Sequence, residues 1–321
     1  MKDKYGRNID YIRISVTDRC NLRCRYCIPD EQAPVLPKEQ LLSFDEIVRF
    51  CRVLPELGIH RVKLTGGEPL AREDTPRLAA AIKKIDGIFQ VTLTTNGTLL
   101  AEKIPALEAA GVDGVNVSLD TLDEERFRAL TRRPYLGRVK AGLEALNASS
   151  IPKIKLNCVP LEEINGDELE DIALLAKEGR MPVRFIEMMP VGSGREWTMI
   201  PEAAVKERLV AAFGPMTPVE GRLGNGPAAY YRFPAFSNPV GFISAMSHAF
   251  CEDCNRIRLT PDGFLRSCLF YGNGVDLKTI LREENDDRQL ARAVRQAIWE
   301  KPKRHPRGPA GEDRKMYQIG G

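Results

Sequence analysis

Hydrophobic and polar residues alternate with a period of two in six short stretches of the first 190 residues, at 9–16, 61–65, 90–95, 114–119, 153–159 and 182–188. Alternation of this kind predicts strands, because successive side chains of a strand point to opposite faces. One face carries Arg13 and Ser15, Lys63 and Thr65, Thr92 and Thr94, Asn116 and Ser118, then Lys155 and Asn157. The other carries Ile12, Ile14, Val62, Leu64, Val91, Leu93, Val115, Val117, Ile154 and Leu156. The sixth stretch is ambiguous, since Arg184 and Met189 have opposite parity.

Helical patterns separate these stretches. Ser43 and Glu46 have capping-box spacing ahead of residues 47–57, and Gly58 stands where a terminating glycine belongs. Thr75-Pro76 opens a second helix; further candidates lie at 99–110, 124–131, 139–148 and 168–177. Alternating strands and helices imply an α/β fold with parallel strands and right-handed crossovers. Six units fall short of a full eight-stranded barrel, so a partial (β/α)6 barrel of the TIM type is expected over residues 1–190. Helices should cover the apolar face and leave the polar face to the lumen. One arginine and two lysines in a lumen are costly unless paired, and an anionic ligand would pair them. Strand-end residues pointing into water are the alternative.

After Pro190 the pattern changes. Residues 191–247 are rich in Gly and Pro, with short strands at 230–233 and 240–244, and an amphipathic helix follows near 288–299. A basic tail from Lys301 ends in Gly320-Gly321. Residues 191–321 therefore read as a C-terminal extension. The 321-residue chain has 43% hydrophobic and 28% charged residues, an ordinary globular composition. Its net charge of +3 gives no support to a nucleic-acid partner. No apolar run approaches the roughly 18 residues of a membrane span. The N-terminus lacks a signal-peptide pattern, so a cytoplasmic protein is expected.

Six of the eight cysteines fall into two groups. Cys20, Cys24 and Cys27 form C-x3-C-x2-C directly after the first strand. Three thiolates without a local fourth leave one iron of a four-iron cluster open to another ligand; a zinc knuckle with a distant fourth ligand is the other reading. The second strand ends in Thr65-Gly66-Gly67-Glu68-Pro69, where glycines permit close backbone approach and Glu68 can accept from an ammonium. Cys251-x2-Cys254-x13-Cys268 offers three more thiolates. His248 lies nearby, so zinc and iron–sulfur both fit this second spacing. Arg256 and Arg258 alternate with Ile257 on a strand pattern, and paired guanidiniums suit phosphate oxygens.

The first triad, with Tyr26 before its last cysteine, resembles the signature of the radical S-adenosylmethionine superfamily. That resemblance implies an S-adenosylmethionine whose amino and carboxylate groups chelate the open iron, reductive cleavage of its sulfonium, and a 5′-deoxyadenosyl radical. Arg13, the C-N-R-I-R-L run from Cys254, Cys268-Leu269-Phe270 and the terminal glycine pair together resemble the GTP 3′,8-cyclase family, the lyases that open molybdenum-cofactor biosynthesis. The likeness implies two [4Fe-4S] clusters, held by Cys20, Cys24, Cys27 and by Cys251, Cys254, Cys268. It implies GTP as substrate, a reducing electron donor, a following cyclic pyranopterin monophosphate synthase, and a homodimer. Tyr26, Gly67, Glu68, Ser118 and Met189 would serve S-adenosylmethionine. Arg13, Lys63, Thr94, Lys155, Arg184, Arg256, Ile257 and Arg258 would serve GTP. Catalysis would fall to Arg13, Arg256, Arg258, Gly320 and Gly321. A radical enzyme acting on peptides and a zinc-containing nucleic-acid-binding protein are the competing readings.

Overall fold

All six expected strands form: β1 (Tyr11–Ser15), β2 (Arg61–Thr65), β3 (Gln90–Thr95), β4 (Gly114–Ser118), β5 (Lys153–Cys158) and β6 (Val183–Ile186). In the computed structural model the described residues are 1–221, 223–283, 286–305 and 314–320. The six strands pair in parallel in chain order. Helices α1 (Phe44–Val53), α2 (Thr75–Lys83), α3 (Leu100–Ala109), α4 (Glu124–Thr131), α5 (Leu136–Ala148), α6 (Glu162–Asn165) and α7 (Leu169–Leu174) lie between them. The capping box at α1 is formed in both directions, and Gly58 (φ 74°) ends the turn that follows the helix.

The apolar face of the strands packs as the alternation requires. The ten residues from Ile12 to Leu156 named above are at most 3% exposed and join the helices in one core. The opposite face is left to polar side chains around a lumen.

The sheet is wider than six strands. β9 (Val240–Ile243) adds in parallel to β6, and β10 (Arg256–Leu259) adds in parallel to β1. Eight parallel strands therefore stand side by side. Antiparallel β11 (Phe264–Arg266) and β12 (Gly274–Asp276) extend one edge, and β8 (Ala229–Arg232) and β7 (Thr217–Pro218) extend the other. The change of character at residue 190 thus does not divide the sheet: both edges of the six-stranded part are covered by strands from beyond it. Helix α8 (Glu202–Phe213) follows β6, and α9 (Lys278–Glu283) and α10 (Asp287–Trp299) follow β12. A last turn, α11 (Met316–Ile319), precedes Gly320. Among the described residues, no helix is long and apolar enough to cross a membrane.

Candidate active site

The chain leaves β1 at Ser15 and crosses the carboxyl end of the sheet as the loop holding Cys20, Cys24 and Cys27. Burial pushes the Cys20 thiol up to about 11 and the Cys27 thiol up to about 12. Cys24 rises well above its ordinary value through burial and then through the neighbouring Cys20 and Cys27. The three sulfurs therefore share one low-dielectric spot. Neighbouring elements hold the loop in place. Gly67 N–H donates to Thr17 O at 2.7 Å and Glu68 N–H to Arg19 O at 2.8 Å. A Cβ at Gly67 would stand 2.6 Å from the carbonyl carbon of Arg19 and 2.8 Å from the Asp18 oxygen. Only glycine permits that approach.

Tyr26 donates its hydroxyl to Asp120 Oδ2 at 2.6 Å, and Asp120 Oδ1 accepts from Val159 N–H at 2.8 Å. The first cysteine loop is thereby tied to the ends of β4 and β5. Glu68 takes a different part from the expected one. Fully buried, it accepts from Leu70 N–H (2.9 Å), Thr95 Oγ1 (2.8 Å) and Asn96 N–H (2.7 Å). Burial pushes its carboxyl up to about 7 despite those donors. Its oxygens are committed to joining the ends of β2 and β3, so it positions the glycine loop rather than presenting a free carboxylate. Ser118 is half-buried at the end of β4 beside Asn157. Met189 packs with Val191, Phe270 and Ile319, next to Cys268.

A cavity of about 100 Å³, open to solvent, occupies the lumen. Register builds its wall: Arg258, Arg13, Lys63 and Thr92 lie in one row across β10, β1, β2 and β3. Thr94, Asn116 and Lys155 form a second row, and Ser118, Asn157 and Arg184 a third. Arg13, Lys63, Lys153, Lys155, Arg184 and Arg256 line the cavity, with no Asp or Glu among the described lining residues. Burial pulls Lys63 well below its ordinary value, and Arg184, Arg13, Lys155 and Arg256 pull it further. Burial, Arg184 and Lys153 bring Lys155 down to about 7. Asn157 Oδ1 accepts from Arg184 Nε at 2.9 Å and orients its fork. This settles the parity of the sixth strand, since Arg184 faces the lumen.

Ile257 can face the cavity only through its backbone. It is fully buried in the main core on the face opposite Arg256 and Arg258, so its side chain does not reach the cavity. The same alternation that directs the two arginines inward directs Ile257 outward.

The second triad lies beside β10. Burial raises Cys251, yet Cys254 falls to about 7: burial pushes it up, and the charges of Lys301 and Arg256, with hydrogen bonds from Arg256, overcome that push. Cys251 feels the charges of Cys254 and Cys268, so these sulfurs are also neighbours. His248 meets Glu202 Oε2 through Nδ1 at 3.0 Å, and its ring is largely exposed. Among the described residues, no three His, Cys, Asp or Glu side chains are grouped to hold a single metal ion. Each triad offers three thiols, a donor set that fits an iron–sulfur cluster with an open corner.

The C-terminal tail enters this region. Tyr317 N–H donates to Cys27. Gly320, at φ 72°, offers its carbonyl to Arg258 Nη1 at 2.5 Å. A Cβ there would stand 2.9 Å from Ser15 Cβ and 3.0 Å from Thr65 Cγ2. Gly321 lies outside the described residues.

The structure thus gathers Arg13, Lys63, Thr94, Lys155, Arg184 and Arg256 around one cavity, with Arg258 and Gly320 adjoining. Three contributors escaped the sequence. Tyr11 and Lys153 carry the parity of Arg13 and Lys155, a signal that was present. The stretch Gly224–Pro227 has no such signal; it reaches the lumen because Asn225 is held by Gln90 and Asn255.

Residues 14–176 match the family model for the Radical SAM superfamily, and residues 181–307 match Molybdenum Cofactor Synthesis C. Curated relatives named GTP 3′,8-cyclase include those of Clostridium perfringens (43% identical) and Syntrophomonas wolfei (44%), each aligned over 100% of both chains. Among solved structures, Streptococcus suis SuiB bound to S-adenosylmethionine superposes with a TM-score of 0.60 at 17% identity, covering 90% of this chain and 68% of that one. That likeness concerns the fold. Radical SAM proteins work with S-adenosylmethionine and an iron–sulfur cluster, and the clustered thiols of Cys20, Cys24 and Cys27 fit that requirement. From its full-length identity to those relatives and its two matched regions, the chain belongs to the GTP 3′,8-cyclase family of the radical SAM superfamily.

Proposed function

We propose that the chain converts GTP into (8S)-3′,8-cyclo-7,8-dihydroguanosine 5′-triphosphate, the first step of molybdenum-cofactor biosynthesis. One observation carries the reading: five buried or half-buried cations, with exposed Lys153 at the rim, face a single cavity that holds no carboxylate among its described lining residues. A lumen so charged requires a polyanion, and a nucleoside triphosphate supplies one. The names of the full-length relatives support GTP.

The first triad would hold a [4Fe-4S] cluster, and the second triad would hold another beside the substrate. When bound, the first cluster and S-adenosylmethionine supply a 5′-deoxyadenosyl radical that takes the C3′ hydrogen, so that C3′ can bond to C8. One electron and one proton then complete the dihydro product, which calls for an external reductant. A cyclic pyranopterin monophosphate synthase would consume that product.

The chain's own residues bind and orient. Arg13, Lys63, Lys155 and Arg256 neutralise the triphosphate, and Arg184 meets it as a fork held by Asn157. Thr94 and Asn116 offer a hydroxyl and an amide from the adjacent row. Arg258 fixes the Gly320 carbonyl against the floor formed by Ser15 and Thr65, and so excludes water there. Gly67 and Tyr26 set the first cysteine loop at the open end.

The test is anaerobic incubation of the reconstituted, reduced protein with S-adenosylmethionine, with and without GTP. GTP-dependent 5′-deoxyadenosine together with a cyclised nucleotide is expected. Cleavage of S-adenosylmethionine with GTP left unchanged would overturn the substrate.

A further inference from the structure

Lys301 is a buried cation outside the cavity. It is 2% exposed, and no carboxylate pairs with it among the described residues. Its Nζ donates to the Arg256 carbonyl at 2.9 Å and to the Ser267 carbonyl. Those carbonyls belong to different arms of the second triad: Arg256 lies two residues after Cys254, and Ser267 immediately precedes Cys268.

The third arm is reached through the residues that follow Lys301. Arg7, paired with Asp3 at 2.6 Å, donates to the carbonyls of Pro302 (2.8 Å) and Lys303 (3.1 Å) and to that of Cys251 (2.8 Å). Lys301 N–H in turn bonds Ile298 O at the end of α10. The ammonium is therefore fixed from both sides. An ammonium held by two backbone carbonyls, without a counter-ion, is costly unless negative charge stands close by. As cluster ligands, the sulfurs of Cys251, Cys254 and Cys268 would supply it, and the two carbonyls that hold Nζ lie within two residues of Cys254 and Cys268. Arg256, the other cation of this stretch, faces the cavity instead.

We propose that Lys301 is the resident countercharge of the second cysteine centre, a positioning residue that joins the Cys254 and Cys268 arms and sets how readily the centre is reduced. The assignment rests on the reading of that triad as an iron–sulfur site. Removing a nearby positive charge disfavours the reduced, more negative state of a cluster.

The test compares the full-length reconstituted protein with Lys301→Gln, which keeps donors for the carbonyls and loses the charge, and with Lys301→Arg, which keeps the charge. Iron per chain is counted, and the signal that GTP perturbs is followed by electron paramagnetic resonance during a potentiometric titration. Lys301→Gln should retain about eight irons per chain, as two four-iron clusters require. Its reduced-to-oxidised ratio at fixed potential should fall about tenfold or more, a drop of about 59 mV per tenfold for one electron. Lys301→Arg should restore the parent value. Iron lost in Lys301→Gln and kept in Lys301→Arg would also support the countercharge. Full iron with an unmoved titration in Lys301→Gln overturns it, as does equal loss of iron in both variants. A parent chain with about four irons, none lost in Cys268→Ala, overturns the cluster reading and this assignment with it.

Discussion

Lys155 gives the most direct test of the cationic lumen. It is 8% exposed, and burial, Arg184 and Lys153 hold it at about 7 against an ordinary 10.5. Its Nζ donates to the Leu223 carbonyl, a contact that a neutral amine can also make. At pH 8.5 the ligand-free side chain is therefore mostly uncharged. A bound polyphosphate supplies the opposite charge that the site lacks, and the amine must take up a proton. Full return to 10.5 corresponds to about 5 kcal/mol. Isothermal calorimetry with inorganic triphosphate at pH 8.5, in two buffers of different ionisation enthalpy, should show uptake of about one proton from Lys155. Affinity should weaken as pH rises above 7, by up to about tenfold per unit for each proton taken up, and Lys155 adds no slope below 7. Lys155→Met should remove about one proton from the uptake. The unfolded chain keeps the Lys155 proton up to about 10.5 while the ligand-free fold releases it near 7. That group therefore costs stability in full below pH 7, and the cost fades as pH rises toward 10.5. Zero proton uptake by the parent protein, or equal uptake in Lys155→Met, would refute the reasoning.

Three further outcomes follow from the packing. Gly67→Ala places a methyl against the Asp18 and Arg19 backbone; it should cost roughly 1–3 kcal/mol in denaturant melts and weaken S-adenosylmethionine binding. Tyr26→Phe leaves buried Asp120 with Val159 N–H as its remaining donor among the described residues; a loss of about 1.5–3 kcal/mol by the same melts is expected, and Asp120→Asn added to it should cost less than the two changes apart. Cys268→Ala should spare reductive cleavage of S-adenosylmethionine and abolish cyclisation, and normal product from that variant would sink the substrate-side role of the second triad.

The strands and their lumen face could be read from period-two alternation because both faces carry strong, opposite patterns. Arg13, Lys63 and Lys155 fell on the correct side for that reason. Pairing across long separations left no such trace. The strand patterns at 240–244 and 256–259 were visible, yet nothing local says that β9 closes on β6 or that Arg256 pairs in register with Tyr11. In the run Arg256-Ile257-Arg258 the pleat of β10 turns the middle side chain into the core, away from its neighbours. Glu68 looked like a free acceptor because its three donors come from Leu70, Thr95 and Asn96, two of them on another strand end. Lys301 was lost among the lysines and arginines of a basic tail; burial alone distinguishes it.

The boundary near residue 190, sharp in composition, runs through the middle of the site. Arg13 and Lys63 come from the first part and Arg256 and Arg258 from the second, and register brings them into one wall. Without β10 and β9, the edges of β1 and β6 would present unpaired backbone groups, and Ile12 and Ile14 would lose Ile257 and Leu259 as strand neighbours. The cations impose a second dependence. The five buried or half-buried ones around the cavity raise the energy of the ligand-free fold, which the packed apolar face behind the strands offsets. The tail closes the arrangement by setting Gly320 between Ser15, Thr65 and Arg258. Arg256 thus joins a cavity whose other cations come from residues 1–190, so the two regions matched by separate family models build one lumen.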